Sequence, residues 1–200
     1  MNNQTTNNQK VFIYGVPGSG KSTFSKLLSK KLKLALYEAD KIKLVARYGK
    51  TIETDPYYFI PTTSAYKVIG ERTPENVING MLNVRKVFND LIEEKIKSFK
   101  NGCVVESAFL NPAELKAQGI VILLTTPSET QHKKQFLIDR TNESITNGQF
   151  DNARLIQKYL ISEAKKLNIQ ILKNNGDINN LFEQILRMHN DLGNYNETKI

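Results

Sequence analysis

The stretch from residue 12 to residue 24, "FIYGVPGSGKSTF", decides how the rest of the chain is read. It opens as a short apolar run, passes through glycines, and satisfies G-x-x-x-x-G-K-[ST] with Gly15, Gly20, Lys21 and Ser22. Behind it Phe24, Leu27, Leu28 and Leu32 recur at helical spacing. Strand, glycine loop, helix is the context in which this pattern cradles phosphate. Average residue usage would produce the four fixed positions by accident about once in a hundred such chains. Successive backbone N–H groups wrapping into a helix N-terminus form a nest of partial positive charge, and glycine is needed where a side chain would block the phosphates. Gly15, Pro17, Gly18, Ser19, Gly20, Lys21, Ser22 and Thr23 are therefore the expected nucleotide-binding residues. Lys21 would reach the β and γ phosphates, Ser22 would offer its hydroxyl to Mg²⁺, and Thr23 would support the α phosphate.

Outward from this loop the chain alternates. "LALYEAD" (34–40), "CVVESAF" (103–109), "IVILLTT" (120–126) and "IQILK" (169–173) are apolar or β-branched runs of the kind buried on both faces of a parallel sheet. Between them lie helical signals. Val84, Val87, Phe88, Leu91, Ile92, Ile96 and Phe99 form one stripe over 83–100, stopped by Asn101 and Gly102. Ser128 with Gln131 fits a capping box, Asp151 opens "NARLIQKYLISEAKKL", and Asp177 opens "INNLFEQILRMH". Such alternation requires crossover connections and a doubly wound α/β sheet with helices on both faces. The expected organisation is a disordered polar segment at 1–10, one domain over 11–190, and a flexible tail at 191–200. Within the domain, 41–80 reads as short helices and loops forming an acceptor-binding insertion, and about 140–151 as a lid.

Composition narrows the partners. The chain has 200 residues and a net charge of +8, so anionic ligands are favoured: nucleotides, phosphorylated metabolites or nucleic acid. A solvated lysine face produces the same excess. One cysteine, Cys103, excludes an intrachain disulfide and a cysteine-based metal site. No run of 18 apolar residues occurs and the N-terminus is polar, so a cytoplasmic location is expected.

A phosphate cradle serves switches, motors and kinases alike, so the acceptor must be sought at the other strand ends, where open parallel sheets bind ligands. Glu38 and Asp40 end the second strand and Glu106 interrupts the third. Asp40 is followed seven residues later by Arg47, and a carboxylate beside a guanidinium makes an acceptor subsite, with Asp40 taking a hydroxyl proton. Asp40 also fits a helix N-cap. Glu106 can hold a Mg²⁺-bound water or pair with a lysine. Lys133, Lys134 and Arg140 in "HKKQFLIDR", with Arg154 in the first turn of the next helix, could lay cations over the transferring phosphoryl group or form a basic surface hairpin. His132 and His189 lack metal-ligand spacing and read as surface or packing residues.

Taken in order, these motifs resemble the small P-loop kinases, and among them the 2-phosphoglycerate kinase family. The matching elements are the phosphate loop, "ADKIKLVAR", "TTSAYK", "VINGMLNVRKV", "VVESAFLNP", "HKKQFLIDR" and "RLIQKYL". The resemblance implies the adenylate and shikimate kinase fold, with a five-stranded parallel sheet in order 2-3-1-4-5. It implies ATP and Mg²⁺ as cofactors and γ-phosphoryl transfer to a hydroxyl. On this reading Lys21, Asp40, Glu106, Arg140 and Arg154 are the expected catalytic residues, Asp40, Arg47 and Arg85 the expected acceptor contacts, and Ser22 and, through water, Glu106 the expected Mg²⁺ contacts. The chain departs from the family pattern in having Ser107 and Phe109 where glycine and histidine are usual, and Gln135 where the family tends to be basic. Within this enzyme class a nucleoside, nucleotide or polynucleotide 5′-hydroxyl is the rival acceptor, with Tyr57, Tyr58 and Phe59 as stacking candidates. Outside it, the rival is a non-catalytic ATP-binding module.

Overall fold

In the computed structural model the described residues are 9–138, 148–177, 180–181 and 183–184. Five strands form one parallel sheet in the order β2-β3-β1-β4-β5, as the resemblance implies. They are β1 (Lys10–Tyr14), β2 (Ala35–Glu38), β3 (Cys103–Ser107), β4 (Ile120–Thr125) and β5 (Gln170–Lys173). The sheet begins one residue before the expected boundary, at Lys10, whose neighbour Gln9 accepts a hydrogen bond from the Cys103 amide.

Alternation of side chains along each strand sorts the core into two layers. Phe12, Tyr14, Val105 and Leu123 face one side, and Val11, Ile13, Val104, Ile122 and Leu124 face the other. Helix α1 (Lys21–Leu32) covers the second side with Phe24 and Leu28. Helix α3 (Pro74–Lys97) covers the first with Val77, Met81, Val84, Phe88, Ile92 and Ile96, beside α6 (Gln149–Lys166) with Ala153, Ile156, Leu160 and Ala164. Each such aliphatic or aromatic side chain contributes about 1.5–3 kcal/mol on leaving water. Short helices α2 (Ile42–Ala46) and α4 (Pro112–Leu115) follow β2 and β3, and α5 (Glu129–Ile138) follows β4.

Two helix starts differ from expectation. Helix α3 begins at Pro74 rather than near residue 83: Thr73 Oγ1 accepts from the Asn76 amide, and proline at the first helical position loses no bond that the helix would have made. Helix α6 begins at Gln149 behind Gly148, so Asp151 is a first-turn residue facing Arg72 and not the cap. Ser128 does cap α5, accepting from the Gln131 amide. The expected disorder at 1–8, the tail at 191–200 and most of the 140–151 lid lie outside the described residues. No helix among the described residues is long and apolar enough to cross a membrane.

Candidate active site

The phosphate loop turns sharply between β1 and α1, and its glycines are there because neighbours crowd it. Gly20 caps α1 at φ +89, and a Cβ there would lie 2.3 Å from Asn174 Nδ2. Gly18 has φ +78, and its Cβ would come within 2.8 Å of the Phe136 backbone. Both are positions where glycine alone is unstrained. Asn174, one residue past β5, donates from Nδ2 to the Ser19 carbonyl at 3.0 Å and fastens the loop to the far side of the sheet. Lys21 Nζ donates to the Val16 carbonyl at 3.0 Å, closing the loop on itself. A cavity of about 340 Å³ opens in front of it, lined by Gly18, Gly20, Lys21, Ser22 and Thr23 of the loop with Gln135, Ile138, Asn174 and Gly176.

Beside the cavity, the ends of β2 and β3 bring acids together. Glu38 and Glu106 are register partners, and Asp40 follows in a tight turn over Ala39–Lys41. Glu38 is neutralised by Lys41 and lies 3.9 Å from Lys26, and its hydrogen bond from Lys41 holds its carboxyl below the usual range. Glu106 is only 4% exposed. Its Oε1 accepts from Ser22 Oγ at 3.1 Å, while Oε2 is buried with no hydrogen-bond partner. Burial pushes its carboxyl above the usual carboxylate range, and the Asp40 and Glu38 charges push the same way against the pull of Lys21 and Ser22. A buried, partnerless carboxylate oxygen beside a hydroxyl is the arrangement that a cation would complete. Among the described residues no group of three His, Cys, Asp or Glu side chains could hold a metal alone. Mg²⁺ is bound through one or two protein oxygens together with nucleotide phosphates. Ser22 and Glu106 are the residues that would hold it.

Asp40 is oriented by a residue that sequence reasoning treated only as a departure. Ser107 Oγ donates to Asp40 Oδ1 at 2.5 Å and accepts from the Phe109 amide at 3.2 Å. The serine thus fixes one carboxylate oxygen and leaves the other for a further hydrogen bond.

Three of the expected site arginines are bonded within the fold. Arg47 donates from Nε to the Tyr58 carbonyl at 3.0 Å and stacks on Phe59, with its Cζ 5.1 Å from the ring centroid, so it braces the 58–59 turn. Arg85, expected at the acceptor, is 6% exposed and forms a two-pronged pair with Glu163 at 2.6 and 3.0 Å, inside the α3–α6 layer. Arg154, expected to lie over the phosphoryl group, donates to the Thr126 and Pro127 carbonyls at 2.8 and 3.1 Å. In each case a partner distant in sequence takes up the guanidinium. Arg140 lies outside the described residues.

Near Asp40 lies a further cation, Lys43. Its Nζ lies 4.7 Å from the Phe109 ring centroid and 5.6 Å from that of Phe88. Burial lowers its pKa, Asp40 raises it and Arg47 lowers it further, which places the ammonium within electrostatic reach of both. The sequence hides it among the helix charges of "DKIKLVAR". Asn174 was missed too, although its place just past a strand end was a usable signal. Tyr57, Tyr58 and Tyr66 pack against the core, and the Tyr57 hydroxyl accepts from Asn83 at 2.9 Å.

A family model described as "AAA domain" matches residues 11–149. Among curated proteins none matches the sequence. Shikimate kinase from Acinetobacter baumannii, solved in complex with shikimate, is 14% identical with a TM-score of 0.59, covering 96% of this chain and 95% of that one. Shikimate kinase from Bacteroides thetaiotaomicron is 17% identical with a TM-score of 0.55, covering 92% and 98%. Deoxyadenosine kinase from M. mycoides, with products bound, is 17% identical with a TM-score of 0.53, covering 93% and 100%. At these identities the likeness is one of fold: a P-loop sheet in order 2-3-1-4-5 with helices on both faces.

Proposed function

Because the chain belongs to the AAA domain family, we propose that it is an ATP-dependent kinase that moves the γ-phosphoryl group to a hydroxyl of a small anionic metabolite. The observation that carries this reading is the pairing of Ser22 with the partly orphaned Glu106 in front of the loop, next to an Asp40 already oriented by Ser107. A nucleotide grip alone would need no second carboxylate with a free oxygen beside it.

In the proposed reaction ATP seats its phosphates against the loop amides, and Lys21 exchanges the Val16 carbonyl for β and γ phosphate oxygens. Ser22 and, through water, Glu106 would hold Mg²⁺, which would neutralise phosphate charge when bound with the nucleotide. The acceptor hydroxyl donates to the Asp40 oxygen that Ser107 leaves open. As the acceptor oxygen bonds to the γ-phosphorus, the bond to the β–γ bridging oxygen breaks, ADP departs, and the proton passes to Asp40 and then to solvent. Little covalent chemistry is asked of the protein, so positioning and charge do most of the work. Arg140 remains the proposed lid cation, whereas Arg154 and Arg85 act as braces.

The acceptor we favour is 2-phosphoglycerate-like, an anionic hydroxy acid. Lys43 supports an anion, since an ammonium over two rings with no hydrogen bond or ion pair among the described residues is ready to receive one. The shared fold with a deoxyadenosine kinase supports the nucleoside alternative. Against it, the tyrosines that would stack a base are committed to the core. The test is ADP release and product mass after mixing the protein with Mg-ATP and, separately, 2-phosphoglycerate, shikimate, deoxynucleosides or a 5′-hydroxyl oligonucleotide. Tight ATP binding with no transfer to any of them would instead establish the non-catalytic module.

A further inference from the structure

His132 is fully buried, 0% exposed, on the face of α5 that packs against the phosphate loop. Its Nε2 lies 2.9 Å from the Pro17 carbonyl oxygen, and its Nδ1 lies 3.4 Å from an Arg154 terminal nitrogen. These contacts define the ring's state. A carbonyl accepts only, so Nε2 carries the hydrogen; a guanidinium donates only, so Nδ1 must be bare. The ring is thus neutral and in one tautomer. One turn further on, Phe136 packs against Gly18 so closely that no Cβ would fit there.

From this geometry we propose that His132 is a positioning residue for nucleotide binding, which locks from outside the loop the orientation that the Val16–Ser19 turn gives the Pro17–Gly18 peptide in the cradle. The peptide is trans, so its carbonyl and its N–H point in opposite directions. Holding the Pro17 oxygen against α5 turns the Gly18 N–H away from His132 and keeps it free for an anion, and Gly18 lines the phosphate cavity. Arg154 fixes the ring from behind while its own orientation is fixed by the Thr126 and Pro127 carbonyls. The Gly18 donor is therefore aimed jointly by the loop's own turn, closed by the Ser19 N–H on the Val16 carbonyl at 3.2 Å, and by His132 holding the Pro17 carbonyl from α5. The charged groups acting on His132 are Arg154 on α6, Lys21 on α1 and Glu129 on its own helix. Burial, with the two cations, holds the imidazole below its ordinary range against the opposing pull of the Pro17 carbonyl and Glu129.

The inference rests on the reading of the loop as an ATP cradle, and the two can fail separately. The experiment compares His132→Gln, whose amide can still donate from the Nε2 position, with His132→Asn, whose oxygen replaces only Nδ1. Dissociation constants for ATP with Mg²⁺ are measured on the full chain, alongside melting temperatures and imidazole nitrogen shifts. The chain has two histidines, so the His132 signal is identified by its loss in His132→Gln. We expect the Nε2–H tautomer, ATP affinity within about twofold of wild type for His132→Gln, and about three- to tenfold weaker binding for His132→Asn, the size of one lost hydrogen bond. A wild-type Nδ1–H tautomer, equal ATP affinity in all three proteins, or losses in both variants that follow melting temperature would each overturn the assignment. A wild-type chain that binds no ATP would overturn the kinase reading and this role together.

Discussion

Replacing Glu106 with glutamine separates the catalytic from the architectural value of that side chain. The wild-type carboxylate is 4% exposed, keeps one oxygen on Ser22 Oγ at 3.1 Å, and leaves the other without a partner. Its pKa is raised in the fold, so the native state binds the proton more tightly than the unfolded chain does. The sign follows: the group favours folding when protonated, and that contribution is lost as pH rises above the usual carboxylate range through the raised native value. Above that raised value the nucleotide-free protein carries a desolvated negative charge. Glutamine keeps an acceptor for Ser22 and removes the charge. A buried polar group left unsatisfied costs about 1–3 kcal/mol, and the amide retains part of that cost, so a net gain of about 1 kcal/mol is expected. For a chain of this size that is a rise in melting temperature of about 2–4 °C at pH 7, vanishing at acid pH. The same variant should lose most of the Mg²⁺ enhancement of ATP affinity and fall about a hundredfold in turnover, as for loss of one stabilising group aimed at the reacting charge. Thermal melts at pH 4.5 and 7 and ATP titrations with Mg²⁺ or EDTA read all three effects. A variant that melts several degrees lower at pH 7 yet keeps full Mg²⁺ dependence would show that Glu106 is only a structural acceptor for Ser22.

Other expectations concern neighbouring groups. Lys21→Ala and Asp40→Asn should each lower turnover by about a hundredfold or more, with ATP affinity falling for the first and preserved for the second. Ordinary turnover by Asp40→Asn would remove Asp40 from the proton path. Lys43→Met keeps the volume over Phe88 and Phe109 and removes a desolvated ammonium, so it should leave melting unchanged or raised while KM for the acceptor rises about tenfold or more. An unchanged KM would make Lys43 a packing residue. Arg85→Met strands Glu163 without its partner and should cost about 3–5 kcal/mol, read as a melting temperature lowered by about 6–20 °C, with kcat retained at low temperature. If kcat collapses while stability holds, Arg85 belongs to the acceptor site after all.

The part of this molecule legible in its sequence is the part written in local order. The phosphate loop is contiguous, and each of its roles follows from backbone donors and a helix start within about ten residues of one another. Strand and helix periods likewise repeat over short windows, which is why the alternation read from the chain became a parallel sheet with a phosphate loop at the end of β1. The acidic ends of β2 and β3 were found by the same means, because a carboxylate interrupting an apolar run stands out locally. What the tertiary structure alone decided is which charge answers which. Arg85 meets Glu163 across 78 positions, Arg154 meets Thr126 across 28, Ser107 meets Asp40 across 67, and His132 meets Pro17 across 115. A guanidinium or imidazole has the same sequence signature whether it will hold a substrate, a buried acid or a carbonyl. Only the packing of α3, α5 and α6 against the sheet brings the partner within hydrogen-bond range, and that packing bonds Arg85 and Arg154 within the fold, sets Ser107 against Asp40, and lays Lys43 over Phe88 and Phe109.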